Sequence, residues 1–468
     1  MQRLGAALLL AAALASGAAA RRWRLHEITA PAVNQQDDAF GIVIDAGSTG
    51  SRLHIFTWKA AGADERLPAN LSLPVELAAD TFAVTPGISD PAGLAALDEI
   101  ISHAQSDLAA HKKNWSDIPI FLKATAGMRI LPASQRQDVM VAVRAKLAAS
   151  GFQYLCDSQA RVMSGEEEGV FGWLTVNKDL GRLKQGEIHN LHDTVGALDL
   201  GGASTQITFK PLASPDLLAN LFPVNLGQQV AEDVYTHSFL HFGENEAQRR
   251  ANRLVALKAA AAPGQTVANP CYLAGYTFQY EDLASGIVYN MAGSGNFSGC
   301  AQVMEALMDR KAICLTDPNP TPPSEAALSS TGGSALPPID PASPLTCSIG
   351  GVYQPPVNVT KFVAFSGFSY IWDFLKLAPA GTTPAQLAAA ATTFCGTSWE
   401  HAKQQNPSEP EKYLAAFCAT ATLSHTLLTT GYGIPAQSTA VTVALPSAGY
   451  DWALGSMLWD ANQAFRLR

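Results

Sequence analysis

Two stretches of this chain share one grammar, and together they constrain its fold more than any other feature. The first, "DAGSTGSR" (residues 45–52), sits directly behind the apolar run Phe40-Gly41-Ile42-Val43-Ile44. The second, "DLGGASTQ" (residues 199–206), follows Val195, Ala197 and Leu198. After each glycine-rich turn the chain resumes β-type alternation, with Leu53, Ile55 and Phe56 in one copy and Ile207 and Phe209 in the other. Each unit therefore reads as strand, tight turn, strand. That excludes a Walker loop or a dinucleotide-binding fingerprint, since both need a helix after the glycines and neither places an aspartate first. Successive amides in such a turn can form an anion-binding nest, and the serines and threonines add hydroxyl donors. An aspartate at the strand end suits Mg²⁺ or Ca²⁺, hard ions that prefer oxygen ligands and often keep waters. A single copy is commonly a surface turn; recurrence favours a phosphate clamp.

Further motifs complete the pattern. "KATAGMR" (Lys123 to Arg129) follows an apolar strand, and "SGEEEGVFGW" (Ser164 to Trp173) places carboxylates at the start of a helix. "YDWALGSML" (Tyr450 to Leu458) lies near the C-terminus, and "VYTHSFLHFG", "NPCY" and "GGVYQPP" lie between. In this order the motifs resemble the conserved regions of the nucleoside triphosphate diphosphohydrolase (apyrase) family, from about Phe40 almost to the end.

That resemblance implies an α/β fold of two actin/hexokinase-like (ribonuclease H-like) domains facing a central nucleotide cleft. Asp45 and Asp199 stand about a domain length apart, as an internal duplication would place them. Domain I is expected over residues 39–163 and 432–468, and domain II over 164–431. The Pro/Ser-rich stretch 316–346 is a loop without a catalytic role.

The resemblance assigns roles residue by residue. Glu168 matches the general base, and Ser204 and Gln206 match side chains that hold the attacking water. Asp45 and Asp199 are the candidates for Mg²⁺ or Ca²⁺, through waters. Gly47, Ser48, Thr49, Gly50 and Ser51 would wrap one phosphate, and Gly201, Gly202, Ala203, Ser204 and Thr205 the next, with Thr125 lining the metal site. Tyr370 and Tyr413 are candidates for stacking the base, although the family carries an aromatic at Ser369 too. Arg129 faces phosphate or forms an ion pair within domain I; both readings stay open. Trp173 and Trp452 are expected to pack, and His237 to be a hydrogen-bonded core histidine. The implied substrates are nucleoside di- and triphosphates. The alternatives are a diphosphate-selective enzyme, a sugar kinase, or a binding protein that has lost catalysis.

The bulk properties fit. A chain of 468 residues, 47% hydrophobic, is long enough for two domains. A formal charge of −9 argues against a nucleic-acid-binding face. Residues 1–20 read as a signal peptide, with an apolar segment too short to span a membrane. A secreted or secretory-pathway protein is expected, monomeric and without a stable membrane anchor. The seven cysteines then suggest disulfides. Local spacing and the resemblance imply Cys271 with Cys300, Cys314 with Cys347, and Cys395 with Cys418, leaving Cys156 buried and reduced. Asn70, Asn114, Asn296 and Asn358 lie in glycosylation sequons.

Overall fold

The structure is a computed structural model and describes residues 38–59, 72–77, 82–109, 111, 114–183, 194–211, 219–227, 230–260, 262–309, 347–357 and 360–462. The expected signal peptide, the loop 316–346, Asn70, Asn358 and Cys314 lie outside the described residues. The first sheet contains β1 (Asp38–Ala46), β2 (Ser51–Lys59), β3 (Val75–Glu76), β4 (Ala83–Val84), β5 (Ile120–Ala124) and β6 (Ala160–Val162). Its order is β3-β2-β1-β5-β6, with β4 also on β2. The second contains β7 (Gly196–Leu200), β8 (Ser204–Phe209), β9 (Leu221–Leu226), β10 (Val230–Leu240), β14 (Phe362–Ser366) and β15 (Val441–Val443). Its order is β15-β14-β7-β8-β10-β9. A small third sheet joins β11 (Thr266–Asn269), β12 (Thr277–Asp282) and β13 (Ile287–Gly293).

The two large sheets repeat one topology. β1 pairs antiparallel with β2 and parallel with β5, which pairs parallel with β6. β7 pairs antiparallel with β8 and parallel with β14, which pairs parallel with β15. This duplicated arrangement is the actin/hexokinase-like α/β fold. β1 and β7 are central strands, buried on both faces, so they read as nearly unbroken apolar runs.

Three apolar layers result. Ile42, Ile44, Leu53, Ile55, Ile120 and Leu122 pack outward from the first sheet, with residues of helices Leu97–Ala109 and Ala133–Ala149. Leu198, Ile207, Phe209 and Tyr235 pack outward from the second. The layer between them is built by two helices that cross over. Helix Gly165–Asp179 follows β6 of the first sheet yet lies on β7, β8 and β10 of the second. Helix Ala453–Ala461 follows β15 of the second sheet yet lies on β1 and β2 of the first. Trp173 and Trp452 are buried in this middle layer. Lys123 joins it too, donating to Ser456 Oγ at 2.6 Å and Asp460 Oδ2 at 2.7 Å.

Several expectations need correction. The segment from 432 was expected with the first half; Tyr432 packs in the second sheet's core and β15 pairs with β14, while Asp451 and the terminal helix do reach the first sheet. Cys156 is exposed rather than buried. It precedes the short turn Asp157–Gln159 that leads into edge strand β6, where little packs over it. His237 is not hydrogen-bonded in a core: it is half-buried, and its Nδ1 has no partner. The disulfides Cys271–Cys300 and Cys395–Cys418 form as expected. Cys347 is also disulfide-bonded. Among the described residues, no helix is long and apolar enough to cross a membrane.

Candidate active site

The two hairpin turns meet. A Cβ on Gly202 would run into the Ser48 hydroxyl and lie 3.5 Å from Thr49 Cγ2, so the tips of β1-β2 and β7-β8 touch. Gly127 backs the first tip, since a Cβ there would stand 2.6 Å from Ser48 Cα. The second tip is backed by helix Glu244–Lys258, whose Glu244 and Asn245 amides donate to the Gly201 and Gly202 carbonyls at 2.9 Å. Close backbone contact of this kind explains why glycine recurs at these positions.

Asp45 and Asp199 are the penultimate residues of β1 and β7, and each is only 6% exposed. Asp45 Oδ2 lies 3.5 Å from Arg52 Nη1, and its Oδ1 has no partner. Asp199 has the Ser366 hydroxyl nearby, which opposes the rise of its pKa, and its Oδ1 is likewise unpartnered. Ser366 holds a left-handed φ of 59°, backbone strain spent at the end of β14. Burial pushes Asp45 up to about 7, against the opposing pull of Arg52. Burial pushes Asp199 up to about 8, and the charge of Glu168 adds to it. Two buried carboxylates with idle oxygens, the charge of Asp45 adding to the rise at Asp199, fit a bound cation. Among the described residues no three histidine, cysteine or carboxylate groups converge as direct ligands, so the donor set suits a hydrated Mg²⁺ or Ca²⁺ held through its waters.

The three consecutive glutamates have separate fates. Ser164 caps helix Gly165–Asp179 in a capping box with Glu167. Glu167 also takes two bonds from Arg161, at 2.7 and 2.8 Å. Glu166 is half-buried, and its carbonyl accepts from Thr236. Glu168 alone turns inward, 6% exposed. Its Oε2 accepts from Arg129 Nη2 at 2.7 Å and from Gln206 Nε2 at 3.0 Å. Burial raises its pKa while Arg129 opposes the rise. Ser204 Oγ closes the set, accepting from Arg129 at 2.9 Å and from Gln206 at 2.8 Å. Gln206 Nε2 also meets Ser238 Oγ at 3.0 Å, and its Oε1 is buried without a partner. Gly169 lets this helix approach β8 and β10, where a Cβ would stand 2.7 Å from Thr236 Oγ1.

Other candidates fall nearby or apart. Thr125 is buried and begins the short helix Ala126–Arg129 without spending its hydroxyl on a cap. Ser51 and Thr205 occupy matching positions and are fully buried. The Thr205 hydroxyl is already engaged by the Asp199 carbonyl and Tyr432, each at 2.6 Å. Tyr370 and Tyr413 are exposed, on helices Gly367–Phe374 and Glu411–Thr426. Ser369 is buried and donates to the Ala444 carbonyl, so an aromatic at that position would face the core. Arg129 proves to bridge the halves rather than to pair within the first.

Sequence reasoning passed over His54, Asp451 and Glu244. Glu244 gave no sequence signal; burial alone pushes it up to about 7, behind the second tip. His54 could have been found from register, because it shares a strand face with Arg52, the cross-strand neighbour of Asp45.

Comparisons with known proteins agree with this geometry. The model of the GDA1/CD39 (nucleoside phosphatase) family matches residues 32–320 and 340–466. Ectonucleoside triphosphate diphosphohydrolase 2 of Gallus gallus is 32% identical over 463 residues, covering 90% of this chain and 82% of the relative. Ectonucleoside triphosphate diphosphohydrolase 8 of Bos taurus is 33% identical, with the same coverage. "Probable apyrase 3" of Arabidopsis thaliana is 27% identical. The crystal structure titled as nucleoside triphosphate hydrolases from Neospora caninum shares the fold, with a TM-score of 0.57 at 15% identity, covering 91% of this chain and 93% of that one. The chain belongs to the GDA1/CD39 family of nucleoside phosphatases.

Proposed function

We propose that the protein is a divalent-cation-dependent apyrase that hydrolyses the terminal phosphates of nucleoside tri- and diphosphates. The observation that carries this reading is the Glu168–Gln206–Ser204 hydrogen-bonded set beside two half-paired buried aspartates. Glu168 takes the proton of the attacking water, as a positioned carboxylate can near neutral pH. Gln206 and Ser204 hold that water, and the idle Gln206 Oε1 offers it an acceptor. The turn amides of residues 47–50 and 201–204 receive the phosphates. Arg129 keeps Glu168 ionised and aligned across the two halves. Asp45, Asp199 and Thr125 would hold Mg²⁺ or Ca²⁺ through waters, and the ion would neutralise phosphate charge. Tyr370 and Tyr413 are exposed aromatic faces suited to a nucleobase.

The site works on extracellular or lumenal nucleotides, in keeping with the disulfides and with exposed sequon residues Asn114 and Asn296. The deciding experiment is phosphate release from nucleoside di- and triphosphates, with and without a chelator. Release from both, lost on chelation and restored by Mg²⁺ or Ca²⁺, is expected. Release from diphosphates alone would replace this reading with a diphosphatase, and no release from either would overturn it.

A further inference from the structure

The duplication pairs residues as well as strands. Asp45 faces Arg52 across the first hairpin, and Val43 faces His54. Asp199 faces Gln206 across the second, and Ala197 faces Thr208. Directly opposed residues share a sheet face, so both aspartates point toward the middle layer. On the second sheet that face is covered by the helix carrying Glu168 in its first turn, resting on Gln206. On the first sheet it is covered by helix Ala453–Ala461, and the residue leading into that helix is Asp451.

Asp451 is held from two sides. Its Oδ1 accepts from the Ala453 amide at 2.8 Å. Its Oδ2 lies 3.4 Å from His54 Nε2, an ion-pair distance rather than an aligned hydrogen bond. His54 Nδ1 stands 2.9 Å from Glu76 Oε1. The ring is 2% exposed with a carboxylate at each nitrogen. Burial alone would lower its pKa, but Asp451 and then Glu76 carry it up to about 9, so it is an imidazolium at neutral pH. Arg52 and His54 lie two residues apart on one face of β2, and Arg52 pairs with Asp45, so Asp451 lies against the same face onto which Asp45 points. The Oδ1 atoms of Asp45 and Asp199 are buried and unpartnered. Among the described residues no cation pairs with both, and Arg52 pairs with Asp45.

We infer that Asp451, fixed by His54, is the first-half counterpart of Glu168: a third carboxylate of the divalent-cation site that accepts hydrogen bonds from the ion's waters. The inference rests on the metal-dependent reading above. It places the C-terminal segment in the ion's surroundings as well as in the core.

Calorimetric titration of CaCl₂ into the full chain, without nucleotide, tests this. Asp451→Asn keeps an acceptor for the Ala453 amide while removing the charge. It is expected to weaken Ca²⁺ binding about 10–100-fold, the usual cost of an outer-shell partner, while the metal-free melting temperature does not fall. Asp451→Glu is expected to recover part of that loss. Wild-type Ca²⁺ affinity in Asp451→Asn would overturn the inference, and so would a lowered melting temperature with unchanged affinity, which marks a helix cap only. Phosphate release by the wild type is measured separately: its absence would end the apyrase reading, while the titration still decides the role of Asp451.

Discussion

The two hairpins are built to one plan and loaded differently. In both, the aspartate is the penultimate residue of the first strand and a four-residue turn follows the strand: residues 47–50 between the pair Ala46↔Ser51, and 201–204 between Leu200↔Thr205. The cross-strand partner of the aspartate is where they part. Asp45 faces Arg52, a permanent cation 3.5 Å away. Asp199 faces Gln206, a neutral amide that leans on Glu168 and Ser204. The turn ends in Gly50 in the first hairpin and in Ser204 in the second, so only the second presents a hydroxyl there. β2 is flanked by the two-residue strands β3 and β4, whereas β8 is flanked by the long β10, which brings Ser238 to Gln206. The lesson is that a duplicated fold supplies two equal anchors, and one side-chain exchange divides their labour. In the proposed mechanism the first hairpin balances charge, and the second holds the water that Glu168 deprotonates.

The largest effects fall on what the hairpins share. Asp45→Ala and Asp199→Ala should each abolish phosphate release while circular dichroism stays native, because each strips the proposed cation site of a buried carboxylate. Full activity of either variant would reduce its aspartate to a turn cap.

Next come the residues that differ. Gln206→Ala should lower kcat by about 10² to 10³ with KM little changed, the usual worth of one preorganised donor. Arg52→Ala should act mainly on KM, by roughly fivefold, because its side chain is half in solvent and its pair with Asp45 is long. Equal kcat losses in the two variants would erase the proposed division.

The smallest effect is on stability, and its sign follows from the raised carboxyl pKa values. The stability that protonated Asp45 and Asp199 contribute is fully present below their unfolded pKa, near 4. It is lost as pH rises through about 7 and about 8. Metal-free protein should therefore melt lower at pH 8 than at pH 6, with Ca²⁺ reversing the loss, and Asp45→Asn should flatten the dependence. A melting temperature in Asp45→Asn with the wild-type pH slope would contradict this origin.

How much of this was legible in the sequence depended on whether residue type or register carried the information. The hairpins were legible, because aspartate, glycine and hydroxyl residues behind an apolar run leave few other local structures. The selection of Glu168 needed the family resemblance; its physical basis lies in Ser164 capping the helix with Glu167, which turns the next residue inward. Arg129 was visible, but the bridge it makes was not, since it joins groups brought together only by the packing of helix Gly165–Asp179 on the second sheet. The exchange of helices was legible in outline, since 164–431 was expected with the second half and 432–468 with the first; hidden was that β15 stays with the second sheet while the helix after it serves the first. His54 and Asp451 fell in the same gap.

The most direct test of the divided labour is single-turnover phosphate release by Glu168→Gln, with Glu166→Gln and Glu167→Gln beside it and nucleotide binding measured independently. Glu168→Gln is expected to lose about 10² to 10⁴ in kcat with nucleotide affinity unchanged. Glu166→Gln should stay near wild type, and Glu167→Gln should lose stability rather than chemistry, through its bonds to Arg161 and the Ser164 amide. A near-wild-type rate for Glu168→Gln, with the collapse falling instead on Glu166→Gln or Glu167→Gln, would contradict that division.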